Sequence, residues 1–272
     1  MKGMFTAGVV DFFIEKGLEF GEIIGVSAGA IHATSLLAKQ KFRSRDITLT
    51  FINDKRYCSI RSLLRTGDLF NADFAYREIP KKYFPFDHDT FEQSRTKLFA
   101  VAARVEDGEP AYLRIRNLRG DGVEALRASA SIPMISRNVA YRGKEYLDGG
   151  VSDSIPLKKI EKDGYKKNIV VLTKSPGYRK RQSKSYLAMK GRYKNSPKLV
   201  ERVKNRHIEY NETMTYVEKR EQEGRAFVIR PSTDDIKRIE KDTAKLGSLY
   251  DEGYATAKKL WPKLKRFIDN TA

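Results

Sequence analysis

The stretch Ile23-Ile24-Gly25-Val26-Ser27-Ala28-Gly29-Ala30 (IIGVSAGA, residues 23–30) decides how this chain is read. An apolar pair runs into a serine set two residues from each of two glycines, and an alanine-rich run follows. G-x-S-x-G between a strand and a helix is the pattern of a nucleophile held at a sharp turn. Such a turn strains the serine backbone and demands small neighbours. Gly25 and Gly29 are expected to supply that room, with Ala28 and Ala30 keeping the crossing close. The helix beginning at Ala28 turns its free N–H groups and positive dipole end toward the reacting centre, so the Ala28 N–H can help hold an oxyanion.

Working outward, residues 4–16 predict a helix ended by Gly17, 21–24 a strand, and Ala28 to about Lys39 a helix. Residues 44–83 read as mostly helical and irregular. KLFAVAARV (97–105) and AYLRI (111–115) pair as a hairpin. Residues 122–130 read as a short helix before Pro133, and 138–150 as a second hairpin around Arg142-Gly143-Lys144. NIVVLT (168–173) and RAFVIRP (225–231) read as strands. Helices fill 197–222 and 234–268, with Pro262 marking a break or kink. Strands alternating with helices define an α/β chain with helical layers on a sheet.

The 272 residues carry a net charge of +18, and the excess is C-terminal. Residues 1–157 hold 23 Lys/Arg against 20 Asp/Glu, and residues 158–272 hold 30 against 15. From Lys174 to Arg206 there are twelve basic residues and one acid, Glu201. A field of this sign attracts anionic surfaces, lipid headgroups or nucleic acid; its plainer reading is a solvated face. Basic residues interleaved with Tyr178, Tyr186, Leu187, Met189 and Tyr193 suit an anionic bilayer. No zinc spacing or RNA-binding signature is present, so nucleic acid is not an expected partner. No apolar run approaches the roughly 20 residues of a membrane span, and no secretory pattern opens the chain. A single cysteine, Cys58, read as a buried structural side chain, excludes an intrachain disulfide and fits a reducing compartment. The expected location is cytoplasmic, with peripheral contact at the inner face of the membrane.

A serine hydroxyl needs a base. His32 lies five residues past Ser27 on the same helix and is expected to turn away from it. His88 sits in a polar loop. His207 lies on an apolar helical stripe, the pattern of a core or edge histidine, although the order Ser27, Asp148, His207 also suits an ordinary hydrolase triad. Asp148 in LDGG (147–150) ends a strand-like segment, and Gly149 and Gly150 let the backbone pack closely and leave the carboxylate accessible. As a plain turn, the same residues would need no function. Asp153 is a lesser carboxylate candidate.

These pieces together resemble the patatin-like phospholipases: GVSAGA, then ASASIP (128–133), then YLDGG. MKGMFTAGVVDFF resembles the segment after that family's oxyanion glycines, including a basic residue-glycine pair, here Lys2-Gly3. The stretches 206–232 and 245–261 look like the family's bacterial branch, so the resemblance covers nearly the whole chain. It implies a three-layer α/β/α sandwich around a central, mostly parallel sheet. Carried over by motif, it implies a Ser–Asp dyad with Ser27 as nucleophile and Asp148 as general base. Lys2, Gly3 and Ala28 would frame the oxyanion hole, and Ser129 and Pro133 would lie in a supporting motif. Substrates would be phospholipids or other acyl-ester lipids, with no metal or cofactor required. Residues 1–157 are expected to form the catalytic core, and 158–272 to continue the same domain as its basic helical part.

The family's pattern begins with an apolar strand and a Gly-Gly-Gly-x-Arg/Lys-Gly loop, whereas this sequence starts inside that loop. The expectation is a sheet with one strand fewer, leaving exposed edges or an unfilled slot at its centre. Two rival readings follow: a Ser-His-Asp esterase using His207, and a catalytically impaired lipid- or protein-binding relative.

Overall fold

A computed structural model describes residues 1–237 and 239–270. The helices are α1 (Gly3–Glu15), α2 (Ala28–Leu37), α3 (Arg43–Phe51), α4 (Ile60–Thr66), α5 (His88–Gln93), α6 (Gly122–Ala130), α7 (Leu157–Lys162), α8 (Ser185–Arg192), α9 (Pro197–Gln222) and α10 (Thr243–Asp269). The strands are β1 (Glu22–Val26), β2 (Lys97–Arg104), β3 (Pro110–Ile115), β4 (Val139–Tyr141), β5 (Lys144–Asp148), β6 (Asn168–Val171) and β7 (Ala226–Ile229). A wide π-helical segment spans Phe74–Tyr83. Helices flank a mixed five-stranded sheet and a parallel pair, which is the α/β arrangement of a patatin-like fold.

The period-2 pattern of the late strands explains the layers. Ile169, Val171, Phe227 and Ile229 pack into the core formed by α1 and α10. Val170, Leu172, Ala226 and Val228 face the opposite core, with Leu157 of α7 and Met214 and Val217 of α9. β6 and β7 run parallel between these two helical layers. α1 and α10 are held together by close backbone approach, for a Cβ on Gly8 would lie 2.1 Å from the Tyr250 carbonyl oxygen and one on Gly253 2.0 Å from that of Phe5.

The larger sheet is organised around β2. β3 lies antiparallel along it from Leu98 to Ala103. β1 lies parallel against Lys97–Val101, and β5 antiparallel against Ala102–Arg104. Because β3 holds one edge over that length, β1 and β5 share the other. Their C-terminal ends therefore meet head-on, with Val26 facing Val101 and Asp148 facing Ala102. β4 pairs with β5.

Among the described residues, β1 pairs with β2 alone and β6 with β7 alone. Every residue of β1 and of β6 lines one cleft of about 1900 Å³. The cleft thus borders both sheets.

Two boundaries differ from the reading above. The last helix starts at Thr243, not residue 234, because Asp242 caps it by accepting the N–H groups of Ala244 and Lys245. It then runs through Pro262 to Asp269 without a break. A proline loses one backbone hydrogen bond, which packing of Leu264, Ala257 and Trp261 into the α1 core offsets. Cys58 is buried.

Candidate active site

Ser27 follows β1 at the point where the edge of β2 is already taken by the end of β5. It cannot continue the strand and must leave the sheet. Its backbone adopts φ 53°, ψ −122°, a region that costs an L-residue on the order of 1–3 kcal/mol. α2 starts at the next residue, so the N–H groups of Ala28 and Gly29 are first-turn donors without helical partners. Gly25 is required by the crossing: a Cβ there would stand 2.4 Å from both N and Cα of Ala30. Gly29 departs from expectation, because a Cβ there meets nothing within 4 Å. It borders the cleft, so it leaves space for a ligand instead of making room for the turn.

Asp148 ends β5, one residue step, about 3.3 Å along β2, from the level of Val26. Its N–H donates to the Ser131 carbonyl at 2.8 Å, and its Oδ1 accepts from Gly150 N–H at 2.8 Å. Gly149 allows this end of the strand to press on β2, since a Cβ there would lie 2.1 Å from the Val101 carbonyl oxygen. Ser27 and Asp148 both line the cleft, with Pro133. Ser129 Oγ accepts the Ser27 N–H at 2.8 Å.

Gly3 begins α1 against the start of α2. A Cβ on it would lie 2.8 Å from the Ala28 Cβ and 2.9 Å from His32 Nε2. Lys2 reaches away from this junction: its Nζ lies 3.6 Å from Asp234 Oδ1, a carboxylate that Lys174 approaches to 3.1 Å and that accepts from Ser175 at 2.9 Å. Burial, then the neighbouring Lys174, lower the Lys2 ammonium below the usual lysine value.

His32 packs against the start of α1. Lying four residues past Ala28, on the same helical face, it sits beneath Gly3 and hydrogen-bonds its backbone. Burial drives its imidazole down to about 4, so it is neutral at physiological pH. His207 is half-exposed at the cleft, with Nδ1 3.1 Å from the Lys204 carbonyl oxygen. Asp153 is engaged structurally: Oδ2 accepts from the Tyr112 hydroxyl at 2.8 Å, and burial raises its carboxyl.

Sequence reasoning missed Arg206. Its Nη2 lies 3.0 Å from where a Cβ on Gly150 would be, and Asp148 Oδ1 2.9 Å from the same point, so guanidinium and carboxylate occupy one corner. The signal was an arginine on the inward stripe of α9, where Leu199, Val203, Arg206 and Tyr210 follow helical spacing. The basic segment also borders the cleft, through Lys174, Tyr178, Lys180 and Arg181. It is tied to α9 by Asn211, which accepts from Lys180 N–H at 2.7 Å and donates to its carbonyl at 3.0 Å.

A strained serine thus stands at a strand-to-helix turn, and a carboxylate ends the next strand along the same edge of β2. The patatin-like phospholipase family profile matches residues 1–159, more than half of the chain, and the chain belongs to that family. Residues 196–269 match a domain of unknown function, DUF6363. The chain is 29% identical over 177 residues to the uncharacterized protein YjjU of Escherichia coli K12, covering 63% of this chain and 49% of that protein. It is 29% identical over 136 residues to mouse 1-acylglycerol-3-phosphate O-acyltransferase Pnpla3, covering 49% and 32%. It is 28% identical over 141 residues to human patatin-like phospholipase domain-containing protein 2, covering 51% and 27%. The chain thus spans about half or less of the length of these relatives. Among the described residues no helix is long and apolar enough to cross a membrane.

Proposed function

We propose that this protein is a serine-dependent lipid acyl hydrolase cleaving carboxylic esters through Ser27 and Asp148. The reading is supported above all by one observation: β1 and β5 meet end to end on one edge of β2, and the strained Ser27 and Asp148 both line one cleft. Ser27 Oγ attacks the ester carbonyl and its proton passes to Asp148. The N–H groups around Gly3 and Ala28 stabilise the oxyanion. The ester C–O bond breaks, and Asp148 gives the proton to the departing alkoxide. A water, deprotonated by the same carboxylate, then attacks the acyl-enzyme and releases the fatty acid, the proton returning to Ser27.

Residues 1–157 supply this chemistry, and 158–272 complete the same domain, Arg206 standing beside the carboxylate. The protein acts in the cytoplasm, in reversible contact with anionic membrane. The test compares wild type, Ser27→Ala, Asp148→Ala and His207→Ala on short- and medium-chain p-nitrophenyl esters. Activity lost in the first two variants and kept in the third supports the dyad. Equal hydrolysis by wild type, Ser27→Ala and Asp148→Ala ends it, and collapse in His207→Ala assigns the base to that histidine.

A second reading is favoured by the mouse relative, whose name describes an acyltransferase. The same acyl-enzyme would pass its acyl group to a lipid hydroxyl instead of water. Adding a lysophospholipid acceptor and following acylated product against free fatty acid separates the two.

A further inference from the structure

Among the described residues, eight large apolar side chains stand exposed, and four of them belong to segments that meet at the rim of the cleft. Ile60 and Leu64 are the barest, at 72% and 82% exposure. They lie one turn apart on the outer face of α4, with Arg61 and Arg65 exposed beside them. α4 is firmly seated. Ser59 caps it by accepting Ser62 N–H, and the buried Ser62 hydroxyl donates to the Asp68 carbonyl at 2.8 Å. Its far end joins the rim loop, Leu69 N–H donating to the Ile135 carbonyl at 2.9 Å and Arg137 N–H to Asp68 Oδ1 at 2.8 Å.

That loop carries Met134, 37% exposed at φ 72°, directly after Ile132 and Pro133. All three line the cleft. On its other flank stands α8, where Arg192 donates to the Ser136 carbonyl at 3.2 Å and Tyr193 to Asn138 Oδ1 at 2.8 Å. α8 presents Leu187, 51% exposed, between Lys184 and Lys190. Residues 164–200 contain eleven Lys/Arg and no Asp/Glu.

We propose that α4, the 132–137 loop and α8 form one docking face for an anionic bilayer. Ile60 and Leu64 enter the acyl boundary while Arg61, Arg65, Lys184 and Lys190 contact the headgroups, and the cleft then opens onto the lipid. The occupant follows from the chemistry. Exposed aliphatic side chains alternating with cations, at Ile60, Arg61, Leu64 and Arg65 and again at Lys184, Leu187 and Lys190, match a lipid interface; a protein hot spot instead centres on buried anchors in well-packed pockets. The inference rests on the hydrolase reading only for its purpose, and its test separates the two.

The variants are Ile60→Ser/Leu64→Ser and Arg61→Glu/Arg65→Glu. Each is followed by co-sedimentation with phosphatidylglycerol-containing and pure phosphatidylcholine vesicles, and by hydrolysis of a dissolved short-chain ester and of the same ester held in vesicles. Both pairs are solvent-facing, so thermal melting stays at the wild-type value. Wild type binds the anionic vesicles, and binding falls as salt rises. The serine pair weakens binding about tenfold or more. It lowers vesicle-ester hydrolysis in proportion and keeps dissolved-ester hydrolysis within about twofold. The glutamate pair loses binding to anionic vesicles most. Wild-type vesicle binding by the serine pair overturns the proposal, as does absent wild-type binding or an equal loss on both forms of ester with melting unchanged. Vesicle binding that needs Ile60 and Leu64 in a protein that cleaves no ester upholds the docking face and sinks the hydrolase reading.

Discussion

Ser129 Oγ accepts a hydrogen bond from the backbone N–H of Ser27 at 2.8 Å, across 102 residues of sequence. Ser129 is fully buried near the end of α6. It thus fixes the peptide that aims the candidate nucleophile. Ser129→Ala strands that N–H without an acceptor, a loss of about 1–3 kcal/mol. Each kcal/mol lowers Tm by roughly 2–4 °C in a chain of this size. Calorimetry and ester kinetics check this: Tm should fall by several degrees and kcat should fall with little change in KM. An unaltered Tm and kcat would remove the role.

Strain at Ser27 gives a prediction of opposite sign for stability and activity. Glycine tolerates φ 53° where serine does not. Ser27→Gly should therefore raise unfolding free energy by about 1 kcal/mol or more while abolishing turnover and fluorophosphonate labelling. A variant both inactive and less stable would show that the serine side chain contributes packing instead.

The two glycines of the turn should behave differently. Gly25→Ala drives a methyl against the backbone of Ala30, costing about 3 kcal/mol or more, and should yield little folded protein. Gly29→Ala adds a methyl in open space on a helix, where alanine gains about 0.5–1 kcal/mol over glycine. Its Tm should hold or rise, while turnover of bulky esters drops because the methyl borders the cleft. Paired melting curves and a series of esters of increasing size read both effects.

Asp11 makes stability depend on pH. Burial pushes its carboxyl up to about 6, despite hydrogen bonds from the Tyr250 hydroxyl and the Phe42 N–H. The folded state therefore holds this proton more tightly than the unfolded chain does, so the group contributes fully below pH about 4 and its contribution is lost as pH rises through 6. The change is on the order of 2–3 kcal/mol. Asp11→Asn keeps an acceptor for both donors and removes the titration. Urea unfolding at pH 4.5 and pH 7.5 should show the wild type losing more stability than the variant across that interval. Equal losses would place the pH response elsewhere.

Much of the fold was legible because its signals are local. The β6 and β7 strands announce themselves as short β-branched runs, and the turn at Ser27 by its small residues. What escaped depends on contacts distant in sequence. The start of α10 is set by the Asp242 cap, while Asp234, where the sequence reading began the helix, is drawn into the charges of Lys2 and Lys174. His32 was judged against Ser27, but its partner is Gly3, supplied by another helix. Arg206 drew no notice beside His207, because only the fold shows that α9 runs past the end of β5. At the candidate site, the residue types were readable in sequence. The abutment of β1 and β5, which gives those types a shared corner, emerged only from the strand register.

The cleft between β1 and β6 has a consequence for the chain in solution. Each strand offers a ladder of backbone donors and acceptors with no neighbouring strand across it among the described residues, and unpaired edges of this kind recruit any extended polypeptide that reaches them. Here both strands line one cleft, so an intruding segment would meet an unpaired edge there. Concentrated or warmed solutions of this chain are therefore expected to associate through added β-structure, and a short apolar peptide supplied in excess should compete with that self-association.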